Sequence, residues 1–256
     1  MQKNDLPLRD GTVLVTGGSR GIGAAAAIRC GGPGRLVVVN YTRDAAAAEA
    51  VVARIRADGG QALALQADVA DEAQVLAMFE RIDREGRPLV GLVNNAGVVD
   101  LPARVDEMSA LRIQRMFAIN VFGSLWCARE AVRRMSTKHG GRGGSIVNLS
   151  SAAARLGSPG QYVDYAAAKG AIDVFTLGLA REVATEGVRV NAVRPGIIET
   201  DIHASGGLPE RAKEMAPMVP MKRAGSADEV AQAIVWLLSD ASAYTTGAVI
   251  DVTGGR

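Results

Sequence analysis

Tyr165 and Lys169 lie four residues apart in Tyr165-Ala166-Ala167-Ala168-Lys169, a run that reads as helix. That spacing puts a phenol and an ammonium on one helical face. An ammonium beside a phenol favours the phenolate, so a group that ordinarily titrates near ~10 is drawn toward neutral pH and becomes a candidate general acid/base. On an exposed helix the same spacing is an inert pair, so its meaning depends on what surrounds it. Three other stretches also carry chemistry. Gly17-Gly18-Ser19-Arg20-Gly21-Ile22-Gly23 is a glycine loop whose backbone can take positive φ and approach a ligand closely. Asn94-Asn95-Ala96-Gly97 sets two amides ahead of small residues, suited to a flat ligand lying against the backbone. Ser150-Ser151 offers two hydroxyls that can face Tyr165.

Each of these stretches ends an apolar run. Thr12-Val13-Leu14-Val15-Thr16 precedes the glycine loop, and an alanine-rich segment, residues 24–30, follows it. Strand, glycine turn and helix in that order make a phosphate site, because the N–H groups opening a helix carry partial positive charge. The spacing is Thr16-Gly17-x-x-x-Gly21-x-Gly23, not the commoner G-x-G-x-x-G. Further strands are expected at residues 36–40, 62–69, 89–93, 145–151, 189–193 and 248–252, with helices between them. Gly31-Gly32-Pro33-Gly34 ends the first helix, and Ser226 with Glu229 forms a capping box. Residues 107–136 read as a long helix interrupted at Ile119-Asn120-Val121. A buried Asn there must bind a carbonyl freed by a local helix distortion, or a water.

The end of the second strand is where a βαβ dinucleotide fold reads the adenosine ribose, with an acid for a free 2′-hydroxyl or a base for a 2′-phosphate. Here it supplies Asn40, Tyr41, Thr42 and Arg43, with no carboxylate before Asp44, and Arg20 adds a second cation from the glycine loop. NADP(H) is therefore favoured over NAD(H). Asp68, followed by Val69 at the third strand's end, can accept from an adenine amino group or cap the next helix.

The 256 residues carry a formal net charge of +2, with Lys and Arg dispersed along the chain, which argues against nucleic acid as the main partner. Cys30 and Cys127 are far apart and outside any C-x-x-C, and His139 and His203 are isolated and match no metal spacing. The opening residues, 1–7, lack a signal peptide's apolar core, and no apolar run spans a membrane, so a cytoplasmic protein is expected. With no linker or repeat, residues 1–256 are read as one domain. Residues 197–220, rich in Gly, Pro and Met, read as a substrate lid in which Met215, Met218 and Met221 line a pocket or pack beneath it.

Over essentially its whole length the chain resembles the short-chain dehydrogenase/reductase family. The likeness rests on Thr16-Gly17-x-x-x-Gly21-x-Gly23, Asp68-Val69, Asn94-Asn95-Ala96-Gly97, Asn120, Ser151, Tyr165-x-x-x-Lys169 and Pro195-Gly196, in family order. It implies a Rossmann-type, doubly wound α/β fold: a seven-stranded parallel sheet with helices on both faces, binding a nicotinamide dinucleotide. It further implies that Tyr165 exchanges a proton with the substrate oxygen while Lys169 lowers its pKa and holds the nicotinamide ribose. Ser151 would bond the substrate carbonyl and Asn120 would hold a relay water. Asn94, Ala96, Gly97, Pro195, Gly196, Ile198 and Thr200 match cofactor-contact positions. Homotetramers built through residues 107–136 and 161–186, or dimers, are the family's common assemblies.

The family pattern holds with departures. Tyr162 plus four is Ala166, so only Tyr165 has its lysine. The Ser151–Tyr165 interval is one residue longer than usual in the family, so the intervening loop must bulge, with Ser150 the fallback serine. A small-carbonyl or sugar dehydrogenase competes with a 3-oxoacyl-carrier-protein reductase, for which Lys138 and Arg142 would supply a basic rim while Glu182 and Glu186 weigh against it. A cofactor-binding regulator without catalysis is the alternative from another class.

Overall fold

A computed structural model describes residues 6, 8–202 and 206–256. Most of the opening stretch, and His203, expected as an isolated surface residue, lie outside them; His139 is exposed. Seven strands form one parallel sheet: β1 (Gly11–Val15), β2 (Arg35–Tyr41), β3 (Gln61–Gln66), β4 (Leu89–Asn94), β5 (Gly144–Leu149), β6 (Val188–Pro195) and, last in the chain, β9 (Val249–Val252). Their order is β3-β2-β1-β4-β5-β6-β9, all pairs parallel. The winding reverses between β1 and β4, which opens a crevice at their carboxyl ends.

Both faces of the sheet are covered, because each central strand is apolar on both sides. On one face α1 (Gly21–Cys30) and α2 (Ala45–Ala57) pack with α9 (Ala227–Leu238) against Val13, Val15, Val37 and Val39. On the other, α3 (Glu72–Asp83), α5 (Gly123–Met135) and α7 (Val163–Val183) bury Phe79, Cys127 and Val183 against Leu14, Leu92 and Ile146. The result is the three-layer α/β/α arrangement of a Rossmann-type fold. Among the described residues no helix is long and apolar enough to cross a membrane.

Several boundaries differ from the sequence reading. α1 begins inside the glycine loop at Gly21. β3 stops at Gln66, because Asp68 turns the chain by accepting from the Ala70 N–H at 2.9 Å, while Asp71 caps α3. The helix expected over 107–136 is α4 (Ala110–Phe117), a π-helical turn (Ala118–Phe122) and α5. The Ser226–Glu229 capping box stands as expected at α9.

Lys138 and Arg142 precede β5, so they lie at the opposite edge of the sheet from the strand ends that bear the glycine loop, across six residues or ~20 Å of strand. They are not a rim of the site. Glu182, near the end of α7, and Glu186, just before β6, share that far edge, and Glu186 accepts from the Ser136 hydroxyl there.

Between β6 and α9, β7 (Ile198–Glu199) pairs with β8 (Gly225–Ser226), and α8 (Arg211–Met215) packs Ala212 with Ile197, Val219 and Ala224. Met215 joins that small cluster, whereas Met218 and Met221 are exposed.

Candidate active site

The glycine loop is held from beneath by side chains of three strands. Thr16 Oγ1 accepts from the N–H groups of Asn95 and Ala96, both at 3.0 Å, joining β1 to the end of β4. Asn95 Nδ2 donates to the carbonyls of Thr16 and Gly17 at 2.9 and 3.0 Å. Gly23 cannot carry a side chain, since a Cβ there would sit 2.3 Å from the Gly17 carbonyl oxygen and 2.4 Å from Asn95 Nδ2. No side chain caps the start of α1, so its first N–H groups are left for a ligand.

Candidate residues at the strand ends divide by face. Asn40, 1% exposed, accepts from the Gly17 N–H and donates to the carbonyls of Leu65 and Ala67, so it braces the loop. Asn94 is likewise buried, donating to Asn148 Oδ1 and the Ser124 carbonyl. Tyr41 is partly buried, while Thr42 and Arg43 stand exposed beyond Asn40. Arg20 is exposed as well, and neither arginine makes an ion pair among the described residues. Ser19 is partly buried in the loop, Asp68 is turned into its own hairpin with Ala70, and Val69 is buried in the core with α3. Gly21 faces Thr200, whose methyl would lie 3.3 Å from a Cβ added there.

Asn120 is fully buried in the π-helical turn. Its Nδ2 donates to the carbonyls of Met116 and Val98, both at 3.0 Å, and its Oδ1 accepts from the Val98 N–H. The side chain fastens the distorted helix to the loop after β4. Gly97 passes so close that a Cβ would meet Asn120 Oδ1 at 2.8 Å.

A cavity of ≈ 170 Å³ opens at the strand ends, lined by Ile22, Asn95 and Gly97 on one side, by Ser151, Tyr165 and Lys169 at its centre, and by Pro195, Gly196, Ile198 and Thr200 opposite. Ser150 Oγ donates to the Lys169 carbonyl and is buried, so strand alternation sends Ser151 outward. Ser151, whose Oγ accepts from the Ala153 N–H at 3.1 Å, lines the cavity with Tyr165 and lowers the pKa of its phenol. The loop between Ser151 and Tyr165 turns sharply at Gly157 and Ser158, both left-handed at φ 71° and 46°. Tyr162 lines the cavity without a lysine partner.

The electrostatics of the pair differ from the sequence expectation. Loss of water around the Tyr165 phenol raises its pKa, and the Ser151 hydrogen bond lowers it only in part. Lys169 Nζ donates to the Leu149 carbonyl at 2.7 Å and lies 5.6 Å from the Tyr165 ring centroid, and the net direction at the phenol is set by burial. Burial lowers the lysine itself to about 8, with the Asp173 carboxylate opposing. Asp173 is in turn held by Arg194 at 2.9 Å.

Asn95 is the residue the sequence reading passed over in favour of Asn94. Both follow an apolar run, and only the pairing of β4 with β1 and β5 decides which amide faces the crevice.

Comparison with known proteins agrees with this architecture. The family described as enoyl-(acyl carrier protein) reductase matches residues 17–256. An uncharacterized oxidoreductase of Escherichia coli, YgfF, is 56% identical over 95% of this chain and 98% of its own. A 3-oxoacyl-[acyl-carrier-protein] reductase of Synechocystis is 40% identical over 94% of this chain and 95% of its own. A short chain dehydrogenase from Burkholderia cenocepacia, solved in complex with NADP, superposes with a TM-score of 0.86 at 33% identity, covering 96% of this chain and 97% of that one. With its serine, tyrosine and lysine lining one cavity at the carboxyl ends of the parallel strands, the chain belongs to the short-chain dehydrogenase/reductase family of oxidoreductases.

Proposed function

We propose that this protein is an NADP(H)-dependent oxidoreductase that interconverts a ketone or aldehyde and an alcohol. The observation that carries the reading is the Ser151–Tyr165–Lys169 arrangement inside the cavity. The fit to a dinucleotide rests on the uncapped start of α1, the side-chain-free passage at Gly23 and the exposed Arg20 and Arg43, which make no ion pair among the described residues. A bound nicotinamide dinucleotide supplies hydride to the carbonyl carbon, or accepts it in the reverse direction. The α1 N–H groups would hold its diphosphate, Arg20 and Arg43 would take a 2′-phosphate, and Gly97, Gly196, Ile198 and Thr200, which line the cavity, would hold the nicotinamide end.

Tyr165 gives its proton to the substrate oxygen as negative charge develops there. A phenol held above its ordinary pKa is protonated at neutral pH and ready to do so. Ser151 hydrogen-bonds the same oxygen, and the Lys169 ammonium stabilises the phenolate left behind. Residues 197–220 act as the cover of a single catalytic domain, and the enzyme works in the cytoplasm on a small carbonyl compound.

The named reductases among its relatives favour a second reading, a reductase of carrier-bound 3-oxoacyl groups. NADPH and NADH oxidation across a panel of ketones, aldehydes and 3-oxoacyl thioesters tests both readings. The expected result is turnover with free small carbonyls and NADPH preferred by at least about tenfold, as one or two arginine–phosphate contacts supply. NADPH binding without turnover of any member contradicts the enzymatic reading.

A further inference from the structure

Among the described residues, the cavity that holds Tyr165 is lined by three cations, Lys169, Arg211 and Arg256, and by no carboxylate side chain. Lys169 is occupied by the Leu149 carbonyl. Arg211 is different. It extends from α8, which is fixed by packing of Ala212, and is itself partly buried. Its Nη2 donates to Gln161 Oε1 at 2.8 Å, and its guanidinium carbon lies 5.1 Å from the centroid of the Tyr162 ring.

Both of those partners are neutral. The neighbouring arginines Arg112, Arg155, Arg194 and Arg223 each have a carboxylate, at Asp164, Asp251, Asp173 and Glu229. Arg211 makes no ion pair among the described residues. The lid helix thus holds a cation in place over the cavity by an amide and an aromatic face, with most of its five N–H donors unspent. Burial raises the pKa of the Tyr162 phenol, and the charges of Arg211 and Arg112 oppose that rise. A fixed, uncompensated guanidinium in a partly dry wall is costly unless a ligand brings the counter-charge, and its planar fork matches a carboxylate.

We propose that Arg211 recognises a carboxylate on the substrate, so that the preferred substrates are oxo acids rather than neutral carbonyl compounds. This rests on the oxidoreductase reading above. Hydride and a proton add across the carbonyl, and the carboxylate is unchanged.

The test compares each oxo acid with its own methyl ester: acetoacetate and 4-oxopentanoate against methyl acetoacetate and methyl 4-oxopentanoate, with NADPH. In the wild type kcat/KM for the acid should exceed that for the ester by at least about tenfold, mainly through KM, as a charge-assisted pair provides. That ratio should collapse toward one in Arg211→Gln and survive in part in Arg211→Lys. Raising salt from 0.05 to 0.5 M should lower the wild-type ratio, a readout that does not depend on any variant folding. Esters reduced as well as acids by the wild type, or a ratio that Arg211→Gln leaves unmoved, overturns the assignment of Arg211 while the oxidoreductase reading stands. Reduction of neither acids, esters nor neutral ketones overturns both.

Discussion

Lys169 is the site residue whose charge is most finely balanced. Burial brings its ammonium to about 8 from an ordinary 10.5, while Asp173 one turn further along α7 pulls the other way. Below pH 8 the lysine is protonated and can stabilise a Tyr165 phenolate, and above it the charge is lost. Carbonyl reduction should therefore be level up to about pH 8 and fall toward higher pH, approaching tenfold per unit. Asp173→Asn removes the group that holds the lysine's pKa up, so the alkaline limb of log kcat/KM against pH should move to lower pH. A limb that stays in place, or moves up, contradicts that linkage. The phenol behaves in the opposite sense, since exclusion of water keeps it protonated and Ser151 tempers that effect. One dry environment thus moves the phenol's pKa up and the ammonium's down, because the two groups are of opposite type.

At the scale of elements, the β1–α1 turn and the π-helical turn do the positioning. Gly23→Ala would force the added methyl onto the Gly17 carbonyl and the Asn95 amide. We expect NADPH binding, followed by nucleotide fluorescence, to weaken at least about tenfold while the far-ultraviolet circular dichroism keeps its α/β form. Unaltered binding would mean that the loop does not contact the dinucleotide. Much of this was legible in the chain. The glycine spacing, the capping box and the break at Asn120 are local chemistry, and the freed carbonyl expected there is that of Met116, which accepts from the Asn120 amide.

What the sequence could not supply is facing. Asn40 and Asn94 stand at strand ends, where ligands gather, yet both turn inward, and Asn95 takes the crevice. One residue of alternation separates the two outcomes, and pairing with neighbouring strands fixes it. The same alternation chose Ser151 over Ser150. Nor could sequence distance show that Lys138 and Arg142 sit across the sheet from the site, because a residue before a parallel strand and one after it lie at opposite edges. The direction of the Tyr165 shift was likewise hidden, since a four-residue spacing does not say how far the fold strips water from the phenol.

At the scale of the molecule, α7 and the π turn ahead of α5 present apolar side chains to solvent: Val174 is 73% exposed, Phe122 48% and Leu177 40%. Such residues on helices that also carry the site fit the tetramer implied by the resemblance, and association through them would stiffen the backbone bearing Tyr165. Sedimentation velocity should give a tetramer for the wild type and smaller species for Val174→Arg, whereas a wild-type monomer contradicts the assembly. The central claim is that Tyr165 is the proton donor of a carbonyl reductase. Its most direct test is Tyr165→Phe, which removes one oxygen, with NADPH binding and carbonyl reduction measured on the same preparation. The account predicts unchanged NADPH affinity and a loss of about 10²- to 10⁴-fold in kcat. Reduction at the wild-type rate by Tyr165→Phe would contradict it.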